Sequence, residues 1–183
     1  MKAFKKFIIR LGNLLCYIRV FCFLSYKKMI SSGILFFEWR QIIGRGFFLQ
    51  INNGSLVLGE RIHSRNFLSI IVNNGTCTIG NRCFFNHNCS ITCLNKITIS
   101  DGCTFGNNVV IVDHDHDLNN RDKFVLGDIS IGENTWVGAN VVILRDSHIG
   151  NNCVIGAGVV VKGNIPDDTI FIQKRQNYLK MKK

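Results

Sequence analysis

Two histidines alternate with three aspartates in Asp113-His114-Asp115-His116-Asp117, the densest titratable run in this 183-residue chain. Histidine accepts a proton near neutral pH, and a neighbouring carboxylate can fix its tautomer and raise its basicity. The run can therefore supply a general base. Asp and His also ligate metals, so a metal site is a second reading and a solvated turn a third. The polar residues that follow predict an external loop over 117–128, and a rigid scaffold commonly carries its functional groups on such loops. His63 and His148 have no carboxylate cluster around them and read as surface side chains.

What must position this run is a six-residue repeat: an aliphatic residue, often Gly, polar residues, and a small residue at the fifth place. Ile131-Gly132-Glu133-Asn134-Thr135-Trp136 leads into Val137-Gly138-Ala139-Asn140-Val141-Val142. Ile149-Gly150-Asn151-Asn152-Cys153-Val154 leads into Ile155-Gly156-Ala157-Gly158-Val159-Val160. Upstream hexads open at Ile79, Phe85, Ile99 and Phe105, and residues 51–59 echo 72–80. A six-residue period fits stacked strands, whereas helical apolar positions recur at three and four. Three hexads make a triangular turn of about 18 residues, so the pattern predicts an all-β parallel β-helix over 41–170. A β-sandwich with Asn/Gly turns is the rival, and it gives no reason for so long a register.

The formal charge of +10 divides unevenly. Residues 1–40 carry eight basic side chains against Glu38, and 174–183 carry five against none; the body, 41–173, holds nine basic and eleven acidic ones. A charge confined to the tails argues against nucleic acid, whose binders place it on a folded face, and suits an anionic membrane surface. Of eight cysteines, Cys83, Cys89, Cys103 and Cys153 fall on the small fifth place, where Cys acts as a small apolar residue. With no Cys-x-x-Cys pair, zinc and disulfide frameworks give way to reduced thiols and a cytoplasmic protein. The apolar run 7–24 is broken by Arg10 and Arg19, which makes it a poor span. It reads as a helix within segment 1–40 that caps the coil or lies in the inner face of the membrane.

The combination resembles the left-handed β-helix acyltransferases of the hexapeptide-repeat superfamily, in particular the sugar O-acetyltransferase branch with maltose, galactoside and capsule- or lipopolysaccharide-modifying enzymes. Phe85-Asn86-His87-Asn88, Ile111–Leu118, Ile131–Ile143 with Trp136, and Ile155 to Lys162 through Ile165-Pro166 carry the likeness. The resemblance implies a homotrimer with sites between neighbouring coils, acetyl-CoA as co-substrate and no metal. It makes His116 the catalytic base, with His114 as fallback, and gives Asn86 the acceptor hydroxyl. Asp113 and Asp115 stand at the base or substrate, and Trp136 lines the acceptor side. Gly138, Ala139, Ala157 and Lys162 follow the coenzyme. Lys162-Gly163 replaces the family's Thr-Lys pair at the adenosine phosphate, and Phe171 to Asn177 replaces its usual C-terminal segment.

The implied activity is transfer of an acetyl group to a saccharide hydroxyl, on a surface polysaccharide or its precursor. Transfer to an amino sugar is the nearest alternative. A zinc hydrolyase on the same coil needs three converging histidines, which His114 and His116 do not supply. A non-catalytic binding coil would show regular Thr columns on a flat face instead of a His/Asp loop.

Overall fold

The computed structural model describes residues 2–120 and 122–173, so residues 174–183 of the basic tail expected at 171–183 lie outside the described residues. Helix Lys2–Ile30 precedes a run of short strands that pair almost wholly in parallel. One strand of each turn, from Ile42–Ile43 through His63–Ser64, Phe84–Phe85, Thr104–Phe105, Trp136–Val137 and Val154–Ile155 to Ile170–Phe171, joins a seven-stranded sheet. The other two faces join in an eleven-stranded sheet. This is the left-handed parallel β-helix that the hexads predict, with the N-terminal helix set against one end.

Like stacks on like. Phe84 sits over Thr104, Trp136 and Val154 in register, and Ile79 over Ile99, Ile131, Ile149 and Ile165. Each aliphatic residue that opens a hexad points inward, and the rings of Phe85 and Phe105 stack 4.6 Å apart in the core. At the corners the backbone turns through the left-handed region, which asparagine tolerates better than other side chains. Asn88, Asn108 and Asn140 all have φ near +60°. Their amides form a ladder, Asn88 Nδ2 donating to Asn108 Oδ1 at 3.2 Å and Asn108 Nδ2 to Asn140 Oδ1 at 3.0 Å.

The fifth-place residues do more than fill space. Cys83, Cys103 and Cys153 donate to the carbonyls of Ser100, Gly132 and Pro166, each in the following turn, at 3.0–3.2 Å. Thr135 does the same to Gly150 at 2.9 Å. Small polar residues there satisfy carbonyls that the parallel ladder leaves over, so reading these cysteines as apolar filler understates them.

The helix packs on the coil, one of the two roles its sequence allows. Val20 and Leu24 are buried against the coil, each contributing about 1.5–3 kcal/mol by burial, and Cys16 and Phe23 pack beside them. The guanidinium of Arg19 donates to the Ile43 carbonyl. Leu11, Leu14, Leu15, Ile18 and Phe21 nevertheless stay exposed. The helix therefore both caps the coil and keeps an apolar face. Lys6–Ile30 is long and apolar enough to cross a membrane by length and composition alone.

Six cysteines are buried, Cys16 is half-buried and Cys22 exposed, all as free thiols. Burial pushes the Cys77 thiol up to about 12, so it stays protonated and unreactive at pH 8. Ellman titration at pH 8 is expected to find no more than two reactive thiols in the native protein and eight after denaturation.

Candidate functional site

The coil is interrupted where the sequence places its His/Asp run. After strand Val110–Val112 the chain leaves the core, and His114–His116 pairs antiparallel with Phe124–Leu126. Gly127 N–H then donates to the Asp113 carbonyl at 2.9 Å and closes the excursion. The protrusion is thus a β-hairpin that starts at His114, not a loop confined to 117–128. His-Asp-His is itself a period-two pattern, and Phe124-Val125-Leu126 supplies a β-forming partner.

Strand alternation sorts the cluster. His114 and His116 share one face, and both rings lie against Phe124, with centroids 5.2 and 4.8 Å away. Asp115 faces the other way, its carboxylate 2.7 Å from Arg145 Nε. That ion pair pushes the Arg145 guanidinium pKa further up. Asp113 is fully buried at the root of the hairpin. Its carboxylate accepts from Leu94 N–H at 2.8 Å and Asn95 N–H at 2.8 Å, and stands 3.2 Å from His114 Nδ1. Asp113 therefore orients backbone and His114 and has no surface to offer a saccharide. Asp115 likewise serves Arg145. The carboxylate–imidazole pair is Asp113–His114, while His116 stands further out on the same strand.

Arg145 reaches Asp115 because the next turn is widened. Between Ile143 and Ser147 the strand holds three residues where its neighbour holds Lys162 alone, and the register shifts there. A second guanidinium nitrogen of Arg145 bonds the Asp146 carboxylate at 2.5 Å. Gly127 packs so closely on this bulge that a Cβ would fall 2.2 Å from Asp146 Oδ1.

The other expected site residues lie elsewhere on the turn. Asn86 follows strand Phe84–Phe85 at the preceding corner, its Oδ1 accepting from His87 N–H at 3.0 Å. Gly106 and Gly138 continue the same column above it. Trp136, 56% exposed, projects from the flat face beside that column. Ala139 is half-buried, and Ala157 and Lys162 are exposed on higher turns. Gly138 is buried, and a Cβ there would meet Ala157 N at 2.7 Å. Close stacking of turns by itself requires that glycine. One face of the triangle, on the order of 15 Å wide at 3.3 Å per residue, separates the Asn86 corner from the hairpin of the same coil.

Among the described residues no three His, Cys, Asp or Glu side chains converge as metal ligands.

Residues 128–163 match the family model described as bacterial transferase hexapeptide (six repeats). That segment carries the repeat of the hexapeptide-repeat transferases. A Schizosaccharomyces pombe protein named as an acetyltransferase is 36% identical over 98 residues, 51% of this chain and 47% of its own. A Mycobacterium tuberculosis protein named likewise is 27% identical over 157 residues, 81% of this chain and 50% of its own. The chain thus spans about half the length of the curated relatives it matches. Among solved structures, a mutant of AntD, an N-acyltransferase from Bacillus cereus bound to dTDP-4-amino-4,6-dideoxyglucose and coenzyme A, aligns with TM-score 0.63. That alignment has 15% identity and covers 78% of this chain and 80% of AntD. A hexapeptide-repeat acetyltransferase from Vibrio cholerae complexed with acetyl coenzyme A aligns with TM-score 0.51 and 20% identity, covering 79% of this chain and 67% of its own. At these identities the two structures establish the shared fold.

Sequence reasoning missed Arg145. The only signal was a hexad, Ile143 to His148, with a charged pair where its neighbours carry polar or small residues. Asp113→Ala removes the buried carboxylate that accepts from the Leu94 and Asn95 backbone N–H groups. Loss of about 1–3 kcal/mol in urea denaturation is expected, the usual cost of leaving a donor unsatisfied, since exposed Asn95 can turn to water.

Proposed function

We propose that the chain is an acetyl-CoA-dependent O-acetyltransferase acting on a saccharide, on a surface polysaccharide or its precursor, with His116 as general base. The observation that carries this reading is the hairpin. It holds two imidazoles on one face, with the inner one fixed by buried Asp113 and the strand braced from behind by Asp115–Arg145.

In this mechanism the acceptor hydroxyl hydrogen-bonds to His116, which takes its proton as the oxygen attacks the thioester carbonyl of acetyl-CoA. Backbone N–H groups stabilise the oxyanion. The C–S bond then breaks, the imidazolium returns the proton to the departing thiolate, and the acetyl ester and free coenzyme A leave. His114 shares the face of His116 and keeps the strand's orientation through Asp113. Ala139, Ala157 and Lys162 line the course of the coenzyme, with the Lys162 ammonium available to a phosphate. A hydroxyl, unlike a neutral amine, must lose its proton as it attacks. Two histidines at the hairpin therefore favour O- over N-acetylation, although AntD is an N-acyltransferase.

Asn86 and Trp136 stand a full face away from the hairpin of their own coil, so they meet a hairpin histidine only if it comes from a neighbouring copy. A homotrimer supplies that geometry, with each site between two coils. The exposed apolar face of the helix, with Arg10 and Lys28 exposed on the same element, supports peripheral contact with the cytoplasmic side of a membrane.

His116→Ala should lower acetyl transfer to the saccharide by roughly 10²–10⁴-fold at unchanged melting temperature, the usual contribution of a general base. Coenzyme A release read with a thiol reagent measures it, and near-normal transfer by the folded variant sinks the reading. Sedimentation velocity should show three chains per particle.

A further inference from the structure

Among the described residues, Arg40, Arg61, Arg82 and Arg145 each have a carboxylate within 3.8 Å. Arg19, Arg45 and Arg65 have none, and all three line one groove of about 580 Å³ between the helix and the first turns of the coil. No acidic side chain lines that groove. Its floor is the Ile42–Ile43 and His63–Ser64 strand pair, with Gly44 beside it. A Cβ on Gly44 would fall 2.5 Å from the Arg65 carbonyl, so the glycine keeps the floor open and the turns close. His63 sits half-buried in the same wall, its pKa lowered first by burial and then by Arg65.

Three guanidinium groups held near one another without counter-charge repel each other, and an anion in the groove relieves that repulsion. Guanidinium forks match the spacing of phosphate oxygens, which they bind in paired hydrogen bonds. The groove also has a definite place on the coil. Ser64 lies in register with Phe85, so Arg65 stacks on Asn86 one turn away, about 4.8 Å along the coil axis. Arg45 stands one turn further on, beside the exposed Leu15 of the helix.

We infer that this groove binds the phosphate or diphosphate through which the acceptor sugar is joined to its carrier. This rests on the acetyl-transfer reading only for the word acceptor; the anion site stands on the groove. The sugar then extends from Arg65 toward Asn86, while the carrier leaves along Arg45 and Arg19. Two carriers share this chemistry: a nucleoside in solution, or a polyisoprenoid whose tail would lie along Leu14, Ile18 and Phe21.

The test uses the full chain and isothermal titration with inorganic pyrophosphate, UDP, farnesyl diphosphate below its micelle concentration, and phosphatidylglycerol vesicles. Wild type is compared with an Arg45→Gln/Arg65→Gln variant, whose altered side chains are exposed, and with Arg61→Gln as the control. Saturable pyrophosphate binding, weakened at least tenfold in the double variant and less than twofold in the control, is expected. Tighter UDP binding identifies a nucleotide carrier, and tighter farnesyl diphosphate binding a lipid one. The inference is overturned if wild type binds none of the three diphosphates, or if the control loses as much as the double variant. Vesicle binding that pyrophosphate does not compete would make the groove a membrane-surface patch and also overturns it. Diphosphate binding without acetyl transfer to any saccharide would sink the activity and leave the groove.

Discussion

Everything in this molecule depends on one constraint: successive turns must stack in register, each residue over its counterpart. The parallel ladder joins backbone to backbone at every turn, so a side chain that suits one level has to suit the next. Interior positions accept aliphatic and aromatic columns, corners turn left-handed most often at Asn, and the small fifth place accepts Val, or a Cys or Thr able to donate to a carbonyl of the following turn. Register also decides what cannot change. A Cβ on Gly106 or Gly138 would meet the backbone of the turn above at 2.6–2.7 Å.

A scaffold this regular makes its exceptions conspicuous, and the two largest face each other. The chain leaves the coil at Asp113 and returns at Gly127, and the next turn swells at Leu144 to Asp146. Neither irregularity is closed without the other: Arg145 from the swelling pairs with Asp115 of the hairpin, while Asp146 abuts Gly127. The buried Asp113 carboxylate then ties the hairpin root to Leu94 and Asn95 of the turn below. Three consecutive turns thus hold one protruding strand, and its histidines inherit the rigidity of the core.

The repeat was legible in the sequence because it is periodic, and a period survives without knowledge of tertiary contacts; the N-terminal helix was legible as one long apolar run. The His/Asp run was legible as a cluster, but the division of labour within it was not. That division depends on which way each side chain points from the hairpin, and the hairpin depends on Phe124 to Leu126, eight residues beyond His116. Spacing alone made Asp113 and Asp115 equivalent neighbours of His116. In the fold one is buried under His114 and the other is turned away toward Arg145. Gly138 is ambiguous in the sequence for a similar reason: in a coil stacked this tightly, glycine beside a functional column is required by packing whether or not a ligand passes.

The arginine groove escaped the sequence because its members are far apart along the chain and each looks unremarkable. Arg19 belongs to the helix, while Arg65 lies over Gly44 and Arg45 over Asn66, neighbouring places at one corner of successive turns. Only in-register stacking brings them together, and only the helix laid across the coil's end turns a charged corner into a concavity. The column of Arg65 runs from Gly44, beside Arg45, through Asn86, Gly106 and Gly138. A ligand following this corner would meet cationic side chains at the helix end and small, close-packed residues further up. That gradient gives the coil a direction, and under the proposed acetyl transfer an anionic carrier would lie toward the helix and the thioester toward the upper turns.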